Sequence, residues 1–223
     1  MREDRGLNHS QHKYLFHPDS ARPVVLIGAG GVGSMVAEKL AKFGVRSIAV
    51  YDPDVVESHN IPSSAYGLPD LGMRKVEALG AKLLRECDLE IQAHARCWQG
   101  DACPDGAAVL ACVDSMDARI AIWKACRKNP LVEVLIDTRV SAEHVRVYGI
   151  DPFDDDDLAE YDYATRYGTA DANPTTCGQH GVPDVNGLAA DLAVALLRGR
   201  WMRGSLPRRL VEFKLDEVRE ILP

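Results

Sequence analysis

The sequence lacks most features that mark secreted, membrane-spanning or nucleic-acid-binding proteins. Its six cysteines form no C-x-x-C pair, which argues against a disulfide framework and against structural zinc. Acidic residues (33) outnumber lysine and arginine (26), and the net charge of −7 disfavours nucleic-acid binding. No apolar run approaches the ~20 residues that cross a bilayer, and residues 1–14 lack the apolar core of a secretion signal. We therefore expect a cytoplasmic protein that needs neither a membrane nor nucleic acid.

The apolar segments that are present predict an α/β fold. Val24–Ile27 is a short, wholly apolar run that ends in glycines, as buried parallel strands do, and residues 32–43 have helical spacing. Further strands are predicted at 47–51, 90–95, 107–113 and 132–136, and further helices at 72–87 and Met116–Cys126. Because strands alternate with helices, we expect a Rossmann-like, mostly parallel sheet with helices on both faces.

The pattern changes after about residue 140. Residues 143–150 and 209–215 alternate like antiparallel or edge strands, and residues 188–197 have helical spacing. The acidic segment at 151–176 lacks clear periodicity and is predicted to be a loop. We therefore expect a polar N-terminal arm over residues 1–22 and a single domain over 23–223, with antiparallel strands continuing the parallel sheet.

A glycine-rich loop follows the first predicted strand. Gly28, Gly30 and Gly33 form a G-x-G-x-x-G pattern that permits a tight turn, close approach to a phosphate and close packing of the next helix. Asp52 lies at the end of the second strand, where an acid can accept hydrogen bonds from a ribose hydroxyl. The combination favours nucleotide binding over a purely structural glycine turn.

The same loop serves dehydrogenases, so other charged residues must separate ATP from NAD. If Asp70 caps the helix over residues 72–87, Arg74 and Lys75 lie near its first turn, where each cation costs about 0.3–1 kcal/mol against the helix dipole. A bound polyphosphate would reverse that cost, and Lys75 is the candidate to reach it. The alternative is that both cations are solvated surface residues.

Asp114 comes directly after the strand predicted at 107–113, at the sheet edge where ligands bind. Facing a polyphosphate, its carboxylate could hold Mg²⁺, which prefers carboxylate and phosphate oxygens. The alternative is that Asp114 caps the helix that begins near Met116.

Taken together, these motifs resemble the ThiF/MoeB/HesA family, which includes the domains of ubiquitin-activating enzymes. The motifs are G-x-G-G-V-G, D-x-D-x-V-x-x-x-N, G-x-x-K and V-D-S-M-D-A-R, and the resemblance returns at the C-G-Q-H stretch that begins at Cys177. It implies a ThiF-like domain whose ATP contacts are Gly28, Gly30, Gly31, Gly33, Asp52, Asp54 and Lys75. It also implies catalytic roles for Asn60, Lys75, Asp114 and Cys177, with Mg²⁺ held by Asp114 through ATP.

The reaction that this resemblance implies is adenylation of a carboxylate. The substrate would be the C-terminal carboxylate of a ubiquitin-like or sulfur-carrier protein, and the enzyme would be a homodimer. Cys177 could then take the acyl group as a thioester, with His180 nearby to lower its pKa. The alternative is a structural cysteine.

The sequence departs from the family pattern at one phosphate-binding position. Family members usually have the motif N-x-x-R-Q at this place, whereas this chain has Asn60 followed by Ser63 at the arginine position. Arg22 and Arg139 are the candidates to replace the missing arginine. This departure favours a non-catalytic nucleotide- or partner-binding module as one alternative. Two other functions also stay open: an NAD-dependent oxidoreductase, and adenylation of a small-molecule or tRNA-linked carboxylate.

Overall fold

The computed structural model describes residues 7–11, 14–141, 144–168, 182–206 and 210–214. The strands are β1 (Val24–Ile27), β2 (Ile48–Tyr51), β3 (Gln92–His94), β4 (Ala107–Ala111), β5 (Val132–Val140), β6 (His144–Ile150) and β7 (Leu210–Lys214). The helices are α1 (Gly31–Lys42), α2 (Lys75–Cys87), α3 (Met116–Cys126), α4 (Asp155–Ala164) and α5 (Pro183–Arg203).

The strands form one seven-stranded sheet in the order β3-β2-β1-β4-β5-β6-β7. Neighbours from β3 to β5 run parallel, whereas β5 pairs with β6 and β6 with β7 in antiparallel register. The predicted fold class, a Rossmann-like sheet continued by antiparallel strands, is thereby confirmed. Because β1, β2 and β4 are parallel neighbours, the loops that follow them lie at one carboxyl edge, where α/β sheets bind ligands.

The sheet is covered by apolar side chains on both faces. One core contains residues of α1, α2 and α5 packed on alternate sheet positions such as Leu26 and Leu110. The other contains residues of α3 and α4 packed on the intervening positions, such as Ile27 and Val109. Burial on both faces explains why β1 and β4 are wholly apolar instead of alternating.

The predicted loop over residues 151–176 is wrong for its first half, which contains α4. Asp154 caps this helix by accepting from the amides of Asp156 and Asp157, each at 3.0 Å. Acidic residues are favoured in the first turn by the helix dipole, so the acidic run starts a helix. Leu158 and Tyr161, three positions apart, are both buried in the second core. Residues 169–176 lie outside the described residues.

Two further expectations need correction. The helix α2 begins at Lys75 with Arg74 as its N-cap, and Asp70 instead caps a short 3-10 turn by accepting from the Gly67 amide at 2.8 Å. Within the predicted polar arm, Phe16 is buried and stacks on Trp201 at a ring-centroid distance of 5.9 Å. In the described part of the chain, no helix combines the length and apolar character that crossing a membrane requires.

Candidate functional site

The glycine loop connects β1 to α1 and leaves open space at its centre. Gly28 has a φ of +91°, and a Cβ there would lie 2.4 Å from the carbonyl oxygen of Cys112, so only glycine fits. A Cβ on Gly30 would meet no described atom within 4 Å. No side chain caps the N-terminus of α1, where Gly30 is the N-cap residue. The loop therefore leaves room and helix N-terminal amides for an anion.

The other two glycines of the loop permit close packing. A Cβ on Gly33 would lie 1.9 Å from the Gly28 carbonyl oxygen, and one on Gly31 would lie 2.3 Å from Nδ2 of Asn186 in α5. Asn186 also donates from Nδ2 to the Ser63 carbonyl at 2.9 Å. The start of α1 is thus packed against α5 and the segment that carries Ser63.

Asp52 ties the end of β2 to the glycine loop. Its Oδ2 accepts from the Ala29 amide at 2.7 Å, its Oδ1 accepts from the Asp54 amide at 2.9 Å, and the residue is 5% exposed. These bonds fix the carboxylate beside the loop while its remaining lone pairs can still accept a hydroxyl.

Lys75 is the first residue of α2 and is largely buried. Its Nζ lies 2.8 Å from Oδ2 of Asp54 and 4.0 Å from Oδ1 of Asp52. Buried lysines are rare unless paired, and these two carboxylates provide the counter-charge. The solvated-cation alternative is therefore wrong for Lys75, whereas Arg74 is exposed and donates to the Pro53 carbonyl at 2.7 Å.

Tyr66 is a residue of this site that the sequence analysis did not find. Its hydroxyl lies 2.7 Å from the Ala29 carbonyl and 3.2 Å from the Lys75 carbonyl, joining the glycine loop to the start of α2. Burial, reinforced by Asp52, raises the pKa of Tyr66 well above its ordinary value, so the phenol stays protonated as a donor. Tyr66 lies outside any helix or strand, so no periodicity could have identified it.

Asp114 is exposed at the same carboxyl edge, in the loop after β4. It does not cap α3, because Ser115 is the N-cap residue and accepts from the Ala118 amide at 3.3 Å. Among the described residues, no hydrogen bond or ion pair occupies the Asp114 carboxylate. An exposed carboxylate at this edge has the oxygen donors that Mg²⁺ prefers.

Arg119 holds the backbone next to Asp114 and was also missed as a site residue. Its guanidinium donates to the carbonyls of Val113 and Thr138, the latter at 2.8 Å, and its Nε donates to Oδ1 of Asp137 at 2.9 Å. Both Arg119 and Asp137 are buried. The arginine in the V-D-S-M-D-A-R segment was the available signal, because a charged residue on an otherwise buried helix face needs a buried partner.

Asn60 lies in a 3-10 turn over Ser58–Ser63. Its Oδ1 accepts from the Glu57 amide at 2.9 Å and so caps this turn. Its contact with phosphate stays a prediction.

Ser63 replaces the family arginine without offering a charge, and Arg22, which precedes β1, lies at the opposite, amino edge of the sheet. Arg139 donates to Oδ2 of Asp137 at 2.7 Å and is part of the Arg119 network.

Cys177 and His180 lie outside the described residues. Among the other cysteines, Cys87, Cys103 and Cys126 are buried, as expected of core residues, whereas Cys97 is exposed. Desolvation raises the pKa of Cys112 to about 12, so this thiol beside the glycine loop stays protonated near neutral pH and is a poor nucleophile.

The chain belongs to the ThiF family, whose model matches residues 20–182. It is 33% identical over 125 residues to "Ubiquitin-like modifier-activating enzyme 5" of Caenorhabditis elegans, covering 48% of this chain and 30% of that protein. It is 30% identical over 140 residues to the Gallus gallus protein of the same name, covering 55% of this chain and 34% of that protein. The chain thus spans about a third of the length of these relatives.

The fold also resembles solved structures of Escherichia coli MccB. One, solved with AMPCPP and MccA, has a TM-score of 0.70 at 18% identity, covering 91% of this chain and 63% of the MccB chain. Another, solved with ATP, has a TM-score of 0.69 at 18% identity, covering 91% of this chain and 64% of MccB. At this identity the likeness concerns the fold.

Proposed function

We propose that this chain is an adenylyltransferase that uses ATP to activate the C-terminal carboxylate of a ubiquitin-like, sulfur-carrier or other peptide partner. The observation that carries the proposal is the open space at Gly30, which lies beside the N-terminal amides of α1. At the same edge of the sheet, Nζ of Lys75 lies 4.0 Å from Oδ1 of Asp52. Membership of the ThiF family supports it, as do relatives named ubiquitin-like modifier-activating enzymes.

In this proposal the loop over Gly28, Gly30, Gly31 and Gly33 binds the phosphates of ATP. Asp52 accepts from the ribose hydroxyls, and Asp54 holds the Lys75 ammonium until it turns to a phosphate. Asn60 contacts the leaving pyrophosphate. Asp114 would hold Mg²⁺ together with phosphate oxygens, and this ion would neutralise charge on the phosphates.

The reaction needs alignment of two anions more than acid–base catalysis. The substrate carboxylate is already ionised near neutral pH and needs no general base. Its oxygen attacks the α-phosphorus, the bond to the bridging oxygen breaks, and pyrophosphate leaves with that electron pair. The chain contributes by orienting the two reactants and by placing positive charge at the phosphates.

A second step would move the acyl group to Cys177. The thiolate attacks the carbonyl carbon of the adenylate, a thioester forms and AMP leaves. We further propose that the enzyme acts as a homodimer, because the family resemblance implies one.

ATP–pyrophosphate exchange tests the adenylation directly. Full-length protein is incubated with ATP, Mg²⁺, labelled pyrophosphate and candidate ubiquitin-like or sulfur-carrier proteins. We expect exchange that depends on the carrier and falls by about 10²-fold or more in Lys75→Ala and Asp114→Ala, because each removes charge stabilisation at the phosphates. Lys42→Ala, an exposed change on α1, is the matched control. Exchange that survives both site variants would overturn the assignment of these residues.

One observation favours a second candidate, a nucleotide-binding module without turnover. Ser63 stands where the family usually places a phosphate-binding arginine, and it brings no positive charge. Calorimetric binding of ATP with Mg²⁺, in the absence of exchange with every carrier tested, would support this candidate over the enzyme.

A further inference from the structure

A pocket rich in arginine and tyrosine lies between α4 and the strands β5, β6 and β7, on the face of the second core. It is lined by Arg139, Arg146, Arg166, Tyr148, Tyr163 and Tyr167, with Glu160 at its wall. Arg139 and Arg146 are register partners on β5 and β6, so their side chains extend from the same face.

The arginines in and behind this pocket outnumber the carboxylates by one. They are Arg119, Arg139, Arg146 and Arg166, against Asp137, Glu160 and Glu212, whose Oε1 lies 2.6 Å from Nε of Arg146. Arg119 and Arg139 share the single carboxylate of Asp137. Tyr161 also donates to Asp137 at 2.9 Å, and burial raises its pKa well above the ordinary value, so it adds no negative charge. An acidic chain with a net charge of −7 thus has a locally basic pocket.

Arg166 has a guanidinium that no carboxylate neutralises among the described residues. It donates from Nη1 to the Tyr163 carbonyl at 2.7 Å, and its Cζ lies 3.6 Å from the centre of the Tyr163 ring. Arg139 similarly keeps Nη2 without a hydrogen-bond partner in the described part of the chain, while its Cζ lies 4.6 Å from the Tyr148 ring centre. Stacking on tyrosine holds both guanidiniums in place; the exposed Arg166 keeps donors that a ligand can reach, whereas the spare Nη2 of Arg139 is buried.

The pocket is joined to the candidate active site through buried polar contacts. Arg139 bonds Asp137, Asp137 bonds Arg119, and Arg119 donates to the Val113 carbonyl, next to Asp114. The pocket strand β6 and the Asp114 strand β4 flank β5 on either side. The glycine loop follows β1, one strand beyond β4, so about three strand spacings, or about 15 Å, separate it from β6, and an extended peptide covers this in about four to five residues.

We propose that this arginine–tyrosine pocket binds an acidic side chain of the peptide or protein that is adenylated, at a position about four to five residues before its C-terminal carboxylate. The inference rests on the proposed function. Guanidinium groups bind carboxylates through paired, charge-assisted hydrogen bonds, and a basic residue at the same position of a partner would be repelled. The pocket therefore selects partners with acidic tails over partners with basic tails.

Matched peptides test this selectivity. Acetylated alanine peptides ending in Gly-Gly with a free carboxylate carry one Glu, Gln or Lys at the fourth or fifth residue before the end. Calorimetry with the full-length protein measures each Kd, and ATP–pyrophosphate exchange is measured on the same peptides. We expect the Glu peptide to bind about fivefold more tightly than the Gln peptide at one of these positions, and the Lys peptide to bind most weakly.

Variants of Arg166 assign the selectivity to the pocket. Because this side chain is exposed, we expect Arg166→Gln and Arg166→Glu to fold, which thermal unfolding checks. Arg166→Gln should abolish the preference for Glu over Gln, and Arg166→Glu should make the Lys peptide the tightest binder. Arg85→Gln, an exposed arginine of α2, should keep the wild-type order.

The outcomes separate this inference from the proposed function. Exchange that occurs equally with Glu and Gln peptides would overturn the pocket assignment and leave adenylation standing. A preference for Glu that persists in both Arg166 variants would also overturn it. Binding that depends on Glu and on Arg166, without exchange on any of these peptides or on any carrier protein, would support the pocket and contradict adenylation.

Discussion

Nε of Arg119 lies 2.9 Å from Oδ1 of Asp137, and this buried ion pair fixes the backbone from which Asp114 extends. Asp137 is fully buried, and Arg119 is 5% exposed. We expect Arg119→Met to lower the free energy of unfolding by about 3 kcal/mol or more, because Asp137 would lose the buried one of its two charge partners. Urea denaturation measures the loss.

The exposed ion pair between Arg127 and Asp162 provides the matched control. Arg127→Met should change the free energy of unfolding by about 1 kcal/mol or less, because solvent screens exposed pairs. Equal losses in the two variants would contradict the view that the Arg119 network holds the loop after β4.

The glycine loop offers a variant that separates binding from stability. A methyl group on Gly30 meets no described atom within 4 Å, so Gly30→Ala should leave the free energy of unfolding within about 0.5 kcal/mol of wild type. The same methyl group occupies space proposed for a phosphate, so the Kd for ATP with Mg²⁺ should rise about tenfold or more. Calorimetry measures the Kd, and urea denaturation measures stability.

Gly28→Ala should behave in the opposite way. Its positive φ and the carbonyl of Cys112 make any side chain costly, and we expect a loss of about 2 kcal/mol or more in the free energy of unfolding. If Gly30→Ala bound ATP as tightly as wild type, the phosphates would not lie over this loop.

Tyr66→Phe tests the hydroxyl that joins the glycine loop to α2. We expect a loss of about 1–2 kcal/mol, because the carbonyls of Ala29 and Lys75 lose a buried donor. Since burial raises the folded pKa of Tyr66, its contribution is present below the unfolded pKa of about 10 and is lost as pH rises above it. Between about pH 9 and 11 the free energy of unfolding should therefore fall more in wild type than in Tyr66→Phe, which urea denaturation at each pH measures. Equal falls in the two proteins would contradict this.

Cys177 can be tested by separating the two proposed steps. Cys177→Ala should keep ATP–pyrophosphate exchange but lose a carrier adduct that reducing agents cleave, detected by non-reducing gel electrophoresis and mass spectrometry. Cys97→Ala, a change at the exposed cysteine of the described chain, is the control and should keep the adduct. An adduct that survives Cys177→Ala would place the acyl group elsewhere.

The sequence by itself determined the fold class and the residues at the carboxyl edge of the sheet. Apolar runs such as Val24–Ile27 mark buried strands, and parallel neighbours place the glycine loop, Asp52 and Asp114 at one edge. These features follow from local periodicity and from the geometry of parallel sheets, both of which can be read from the residues in order.

The tertiary structure alone decided which groups meet. The acidic run after Asp154 starts a helix because Leu158 and Tyr161 are buried in the second core, and Lys75 is buried because Asp52 and Asp54 lie beside it. Tyr66 and the Arg119–Asp137 pair act across loops and strands far apart in the chain. No periodicity encodes such contacts, because their energy depends on burial and on partners that only the packed sheet brings together.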